Sequence, residues 1–375
     1  MAVVARRYGG YRSTTGDDKD HTTHHGVTKI AVEMDVHRTK ARQRRVPRWV
    51  VVLGSLVVLG LVGLTPLQGP VLQAILLGPD SLVTPSSVHA MARVRDGHRL
   101  LVPVVPGIVR EDLSFPSPAL GGRPEPYDLY LPPGYDAPAN RQRRFPVLYL
   151  LHGAPGQPGD WMHGMHVQVL EDQGVATGAL PPMIIVMPEG NGGVWRDSQY
   201  VNTVGGFRAE DLIAHDVVRY IDAHYRTIAH RGARAIAGIS EGGYGAMNLG
   251  LKHVEEFGTI VSISGYFTAD PAEVFAANNP WGHDGALMAA NSPTLYVRRL
   301  AGLRATSILI MDNPDDGPYT QAAVRFAQEL GRLRILHTLL MQPAPTPLAA
   351  HYWPYWHEAF PHALSYIGRH LLTTG

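Results

Sequence analysis

Ser240 stands in Gly238-Ile239-Ser240-Glu241-Gly242, a Gly-x-Ser-x-Gly pattern. A short apolar strand, Arg234-Ala235-Ile236-Ala237, runs into it, and a helix begins at once behind it, with further glycines at Gly243 and Gly245. A serine on so tight a turn takes strained backbone angles, and its flanking positions must be nearly free of side chain for strand and helix to pack beside it. In return the hydroxyl stands exposed at the end of a strand, over a helix N-terminus whose free N–H groups favour developing negative charge. The chemistry such a turn serves is nucleophilic attack by the serine and transfer of an acyl group.

A serine hydroxyl is a poor nucleophile until a base takes its proton, and the base needs an orienting partner. For this turn the partners follow in the order acid, then histidine. The acid belongs just beyond the strand ending at Met311, where Asp312-Asn313-Pro314-Asp315-Asp316-Gly317 offers three carboxylates. The histidine belongs on a loop before the last helix, the position of His351. His337 reads as part of a strand, while His357 and His362 sit in or beside helical sequence. Two backbone N–H groups must also converge on the substrate's carbonyl oxygen. One is expected from Glu241. The other is expected from His152-Gly153-Ala154-Pro155-Gly156, where Pro155 has no N–H and Ala154 is the better donor. The Glu241 side chain puts a carboxylate close to the hydroxyl; a solvent-facing position is favoured over one that repels anionic substrates.

The elements that must hold these residues are legible from apolar patterning. Strands are expected at 98–105 (a first edge strand), 127–131, 146–151, 183–187, 234–239, 259–265 and 307–311. The continuous apolar runs among them suit strands buried on both faces. Helical spacing marks 210–225, 319–330 and a closing helix at 362–372. Strands alternating with helices predict an α/β domain with a doubly wound, mostly parallel sheet, spanning 97–375. No internal repeat is visible.

The N-terminal part differs in kind. Residues 1–48 are polar and basic, as expected of a disordered tail, and His21, His24 and His25 read as solvated rather than metal-binding. The basic run from Arg38 to Arg48 leads directly into an uncharged apolar stretch, which argues against a nucleic-acid arm. That stretch, 49–67, is long enough for one membrane-spanning helix. Basic residues before it and few after it predict a signal anchor with its N-terminus in the cytoplasm, in preference to a cleaved signal peptide. Residues 68–96 read as a linker. The 375 residues include no cysteine, which excludes disulfides, a thiolate nucleophile and cysteine metal sites, and a net charge of +1 argues for no nucleic-acid partner.

Four separated motifs in order carry a family resemblance: 127–135, 146–153, 237–246 and 351–356. Over roughly residues 120–372 the chain resembles the esterase D-type branch of the α/β-hydrolases, which includes S-formylglutathione hydrolases, feruloyl esterases and antigen 85 mycolyltransferases. The resemblance implies an α/β-hydrolase fold, Ser240 as nucleophile, His351 as base, and Ala154 and Glu241 as N–H donors. It implies Asp316 as the acid, last residue of the family's G-x-x-D pattern, with Asp315 second; Asn313 stands where the family has glycine. Glu241 departs from the methionine or glutamine common after the nucleophile, and 342–347 lacks the usual glycines. Neither metal nor organic cofactor is implied. Together these readings predict a membrane-anchored, extracytoplasmic serine esterase acting on small-molecule or lipid esters. An antigen 85-type acyltransferase and an inactive hydrolase-fold binding protein are the alternatives.

Overall fold

The computed structural model describes residues 89–93, 99–193, 197–271, 279–282, 284–300 and 303–372. The expected basic tail, the apolar stretch at 49–67 and nearly all of the linker at 68–96 lie outside them. Among the described residues no helix is long and apolar enough to cross a membrane.

The expected edge strand at 98–105 becomes β2 (Arg99–Pro103), which pairs antiparallel with β1 (His89–Arg93) in a separate two-stranded sheet. The edge of the main sheet is instead β3 (Ile108–Ser117), antiparallel to β4 (Arg123–Leu131). Charged residues and Pro116 hide β3 from a hydrophobicity reading. An edge strand needs neither two apolar faces nor a full set of N–H donors. Its register also shifts between Arg110 and Leu113, where Asp112 takes a positive φ of 55° and donates its N–H to Asp128 Oδ1 at 2.9 Å.

β5 (Val147–Leu151), β6 (Ile184–Pro188), β7 (Arg234–Ile239), β8 (Thr259–Ile263), β9 (Ser307–Asp312) and β10 (Thr338–Met341) are parallel, and the sheet order is β10-β9-β8-β7-β5-β6-β4-β3. From β4 to β9 the sheet follows expectation, and β10 adds a strand at its far edge, just after His337. Every residue of β5 is buried, and alternate side chains feed opposite faces. Val147, Tyr149 and Leu151 join the core that also holds Leu212, Met247 and Phe326. Leu148 and Leu150 join the one that holds Trp161, Phe360 and Leu364. A continuous apolar strand is the consequence of this two-sided cover.

Helices supply it. On one face lie α2 (Ala209–Asp211), which passes through the π-helical turn Leu212–Val217 into α3 (Val218–His224), then α4 (Glu241–Lys252) and α7 (Pro318–Arg332). On the other lie Val167 of α1 (Val167–Ala176) and α8 (Trp353–His370). Between β8 and β9 the chain forms the short α5 (Gly285–Ala290) and α6 (Pro293–Tyr296). The closing helix starts earlier than its periodicity predicts, at Trp353. Pro354 falls in its first turn, where a missing N–H costs nothing, and Pro361 inside the helix interrupts the sequence signal.

Candidate active site

Ser240 occupies the β7–α4 turn with φ 54° and ψ −120°, outside the regions a serine ordinarily takes. Close packing holds it there. A Cβ built on Gly238 would lie 2.2 Å from Gly242 O, and one on Gly242 would lie 2.1 Å from Leu151 O, so both flanking positions admit only glycine. The Ser240 N–H donates to Ile263 O at 2.9 Å, pinning the turn to β8.

Three expected side chains meet. Ser240 Oγ lies 2.8 Å from His351 Nε2, and His351 Nδ1 lies 2.9 and 3.0 Å from the two Asp316 carboxylate oxygens. The His351 ring stacks on Tyr319 at 4.2 Å between centroids and meets Trp356 edge-on at 5.6 Å. Trp356 in turn donates its indole N–H to Ser264 Oγ at 3.2 Å. The loop bearing Asp316 and the loop bearing His351 are tied by Asn313, whose Nδ2 donates to Ala350 O at 2.5 Å. The residue that replaces the usual glycine is therefore a strut between the two loops.

The other candidates fall elsewhere. Asp315 is exposed. Asp312 is fully buried at the end of β9, and burial, followed by the facing Asp316 carboxylate, pushes its carboxyl up to about 9. It is a neutral acid behind the site. His337 precedes β10 and bonds Ile335 O, His357 donates to Gly164 O at 2.7 Å, and His362 is exposed on α8.

The turn expected to carry the second N–H donor lies against the serine: a Cβ on Gly153 would stand 3.3 Å from Ser240 Cβ. Glu241 opens α4, so its N–H is among those a helix leaves unpaired. Its side chain contradicts expectation. It is 3% exposed and accepts from Asn191 Nδ2 at 3.0 Å, and its carboxyl also meets the Asp197 carboxyl and the Gln199 N–H. Burial, and then Asp197, hold it well above the usual carboxylate range. These partners sit on the loop after β6, dozens of residues away, so no local spacing announces them. The glycine-rich Glu189-Gly190-Asn191-Gly192-Gly193 at a strand's carboxyl end was the available signal. Among the described residues no group of three or more histidine, aspartate or glutamate side chains is placed to hold a metal ion.

Comparison with known proteins follows the same lines. A family model described as "Putative esterase" matches residues 117–367. An esterase of Mycobacterium tuberculosis is 32% identical over 151 residues, 40% of this chain and 31% of that protein. An endo-1,4-beta-xylanase/feruloyl esterase of Xylanibacter ruminicola is 31% identical over 148 residues, 38% of this chain and 20% of that protein. The matched region thus spans between a fifth and a third of these relatives' length. Among solved structures, a ferulic acid esterase superposes with TM-score 0.61 at 26% identity, covering 71% of this chain and 99% of that one.

Proposed function

The chain belongs to the family described as "Putative esterase", with an α/β-hydrolase fold, and on that footing we propose that it is a serine esterase acting on carboxylic esters through Ser240, His351 and Asp316. One observation carries the reading: an unbroken relay of 2.8 and 2.9 Å contacts from hydroxyl to imidazole to buried carboxylate. His351 takes the Ser240 proton as Oγ attacks the ester carbonyl, and Asp316 holds the ring in the tautomer whose Nε2 can accept it. The tetrahedral oxyanion forms beside the Glu241 and Ala154 N–H groups. The imidazolium returns its proton to the departing alcohol, leaving an acyl-enzyme that His351-activated water hydrolyses. The steps need no metal or organic cofactor.

The relay also favours this reading over an inactive binding protein, which has no use for a strained serine aligned with a base. Resolution of the acyl-enzyme by a sugar hydroxyl would be transfer; the esterase names of the relatives favour water. The apolar stretch at 49–67 and its basic flank support a single-pass anchor with this domain outside the cytoplasm, or secretion where that segment is cleaved.

Turnover of p-nitrophenyl butyrate by the parent and Ser240→Ala tests the proposal, with covalent labelling by a fluorophosphonate as a second readout. Ser240→Ala is expected to lose on the order of 10⁴-fold or more in kcat and all labelling. Equal turnover by the two proteins would overturn the assignment.

A further inference from the structure

The loop after β6 grips both turns that carry the expected oxyanion donors. Tyr200, fully buried and at φ 51°, donates its hydroxyl to His152 O at 2.9 Å, immediately before Gly153 and Ala154. The His152 imidazole lies 2.7 Å from Glu189 O at the loop's other end. Asn191 reaches the Glu241 carboxyl, and its own Oδ1 accepts from the Ser198 N–H at 2.5 Å. Asp197 meets the Glu241 carboxyl and accepts from the backbone and side-chain nitrogens of Gln199 at 3.2 and 2.7 Å. Gln199 then accepts from the Tyr266 hydroxyl, whose ring stacks on Tyr244 of α4 at 4.7 Å.

Two carboxyls buried face to face need a proton between them. Asp197 accepts from the backbone and side-chain nitrogens of Gln199. Glu241 accepts from Asn191 Nδ2 and shares the Gln199 N–H with Asp197, and with burial and the facing Asp197 holding its carboxyl well above the usual carboxylate range, it is the member assigned the proton. We propose that Glu241 and Asp197 are a one-proton acid pair that, with Asn191 and Tyr200, positions the two backbone N–H groups of the oxyanion hole. This rests on Ser240 being the nucleophile. It assigns positioning roles to residues whose side chains never meet the substrate, and it explains why a glutamate is tolerated next to a developing oxyanion: it carries no charge there. Ionisation of Glu241 would set it against Asp197 and against Tyr200, which Glu189, Asp197 and Asp160 also face, and against Tyr244 of its own helix, which Glu210 also faces. Repulsion would then loosen the loop and misplace the donors.

The test is kcat and KM for p-nitrophenyl butyrate from pH 6.5 to 10, measured on the full chain, with thermal melts of every variant. In the parent, kcat is expected to fall in the alkaline range as the shared proton leaves. Glu241→Gln keeps a donor toward Asp197 and an acceptor toward Asn191 but has no proton to lose, so its kcat ratio between pH 9.5 and pH 7 is expected to exceed the parent's several-fold. Glu241→Leu is expected to lose about 100-fold in kcat at every pH with KM little changed, as for a misplaced oxyanion donor. The same alkaline fall in Glu241→Gln as in the parent would overturn the pair, and so would full kcat in Glu241→Leu. Where the leucine variant does not fold, the glutamine comparison decides alone. Turnover by Ser240→Ala equal to the parent's would show that the nucleophile assignment, rather than the pair, had failed.

Discussion

Asp315 and Asp316 are neighbours in sequence and opposites in surroundings. Asp316 is 5% exposed and spans both of its oxygens across His351 Nδ1, whereas Asp315 faces solvent with its N–H tied to Asn313 Oδ1 at 2.9 Å. A carboxylate orients the imidazole and stabilises the imidazolium, and an amide in its place favours the wrong tautomer. Asp316→Asn is therefore expected to lower kcat by roughly 10³–10⁴-fold, and Asp315→Asn by less than about twofold, in the same p-nitrophenyl assay. The reverse order would move the acid by one residue. The three side chains that converge at Ser240 were legible because the chemistry proposed for them restricts their types and the fold restricts their order. The burial of Glu241 was not: nothing within its own helix distinguishes a glutamate that faces water from one that faces Asn191 and Asp197.

At the level of elements, the strand–serine–helix turn was the most legible part of the chain because sterics dictate it. Gly242 packs so closely that an added methyl group meets Leu151 O and His152 O at 2.1 and 2.5 Å, both backbone atoms that cannot move aside. Gly242→Ala is expected to cost about 2–3 kcal/mol from overpacking, seen as a melting temperature lower by roughly 5–10 °C, with ester turnover reduced because β5 and α4 must separate. An unchanged melt would mean the turn is less tightly held than its contacts indicate. The elements that sequence misjudged share one physical trait. β3 and the first turns of α8 combine charge, proline or tryptophan with partial exposure, so their periodicity is weak. β3 is held by pairing with β4, and α8 by aromatic packing such as Trp161 against Phe360 at 5.1 Å. Such tertiary contacts override local propensity and leave no short-range mark.

Among the described residues, carboxyls raised by burial recur beyond the site. Burial, followed by Glu189, pushes Glu125 of β4 up to about 7, and burial pushes Glu171 of α1 up to about 8, while Asp312, facing Asp316, is pushed up to about 9. Two of these also anchor backbone: Glu125 accepts from the Gly190 N–H at 2.9 Å and Glu171 from the Met183 N–H at 3.2 Å. In the unfolded chain such groups ionise near pH 4. Between that pH and their native values the folded state holds protons the unfolded state has lost, so stability declines as pH rises, by up to about 1.4 kcal/mol per pH unit for each group. Glu210 works in the other direction: burial raises it, but His253 and Lys252 outweigh burial and hold it low, so its contribution is lost only toward acid. The melting temperature is therefore expected to peak on the acid side of neutrality and to fall by roughly 5 °C or more between pH 5.5 and 8.5, even if a third of the summed shift is realised. Asp312→Asn and Glu171→Gln, which remove one titrating proton each, should flatten that slope whether or not they lower the peak. A melting temperature that rises toward pH 8.5 would mean these carboxyls are ionised in the folded protein, and the neutral acid assigned at 312 would fall with them.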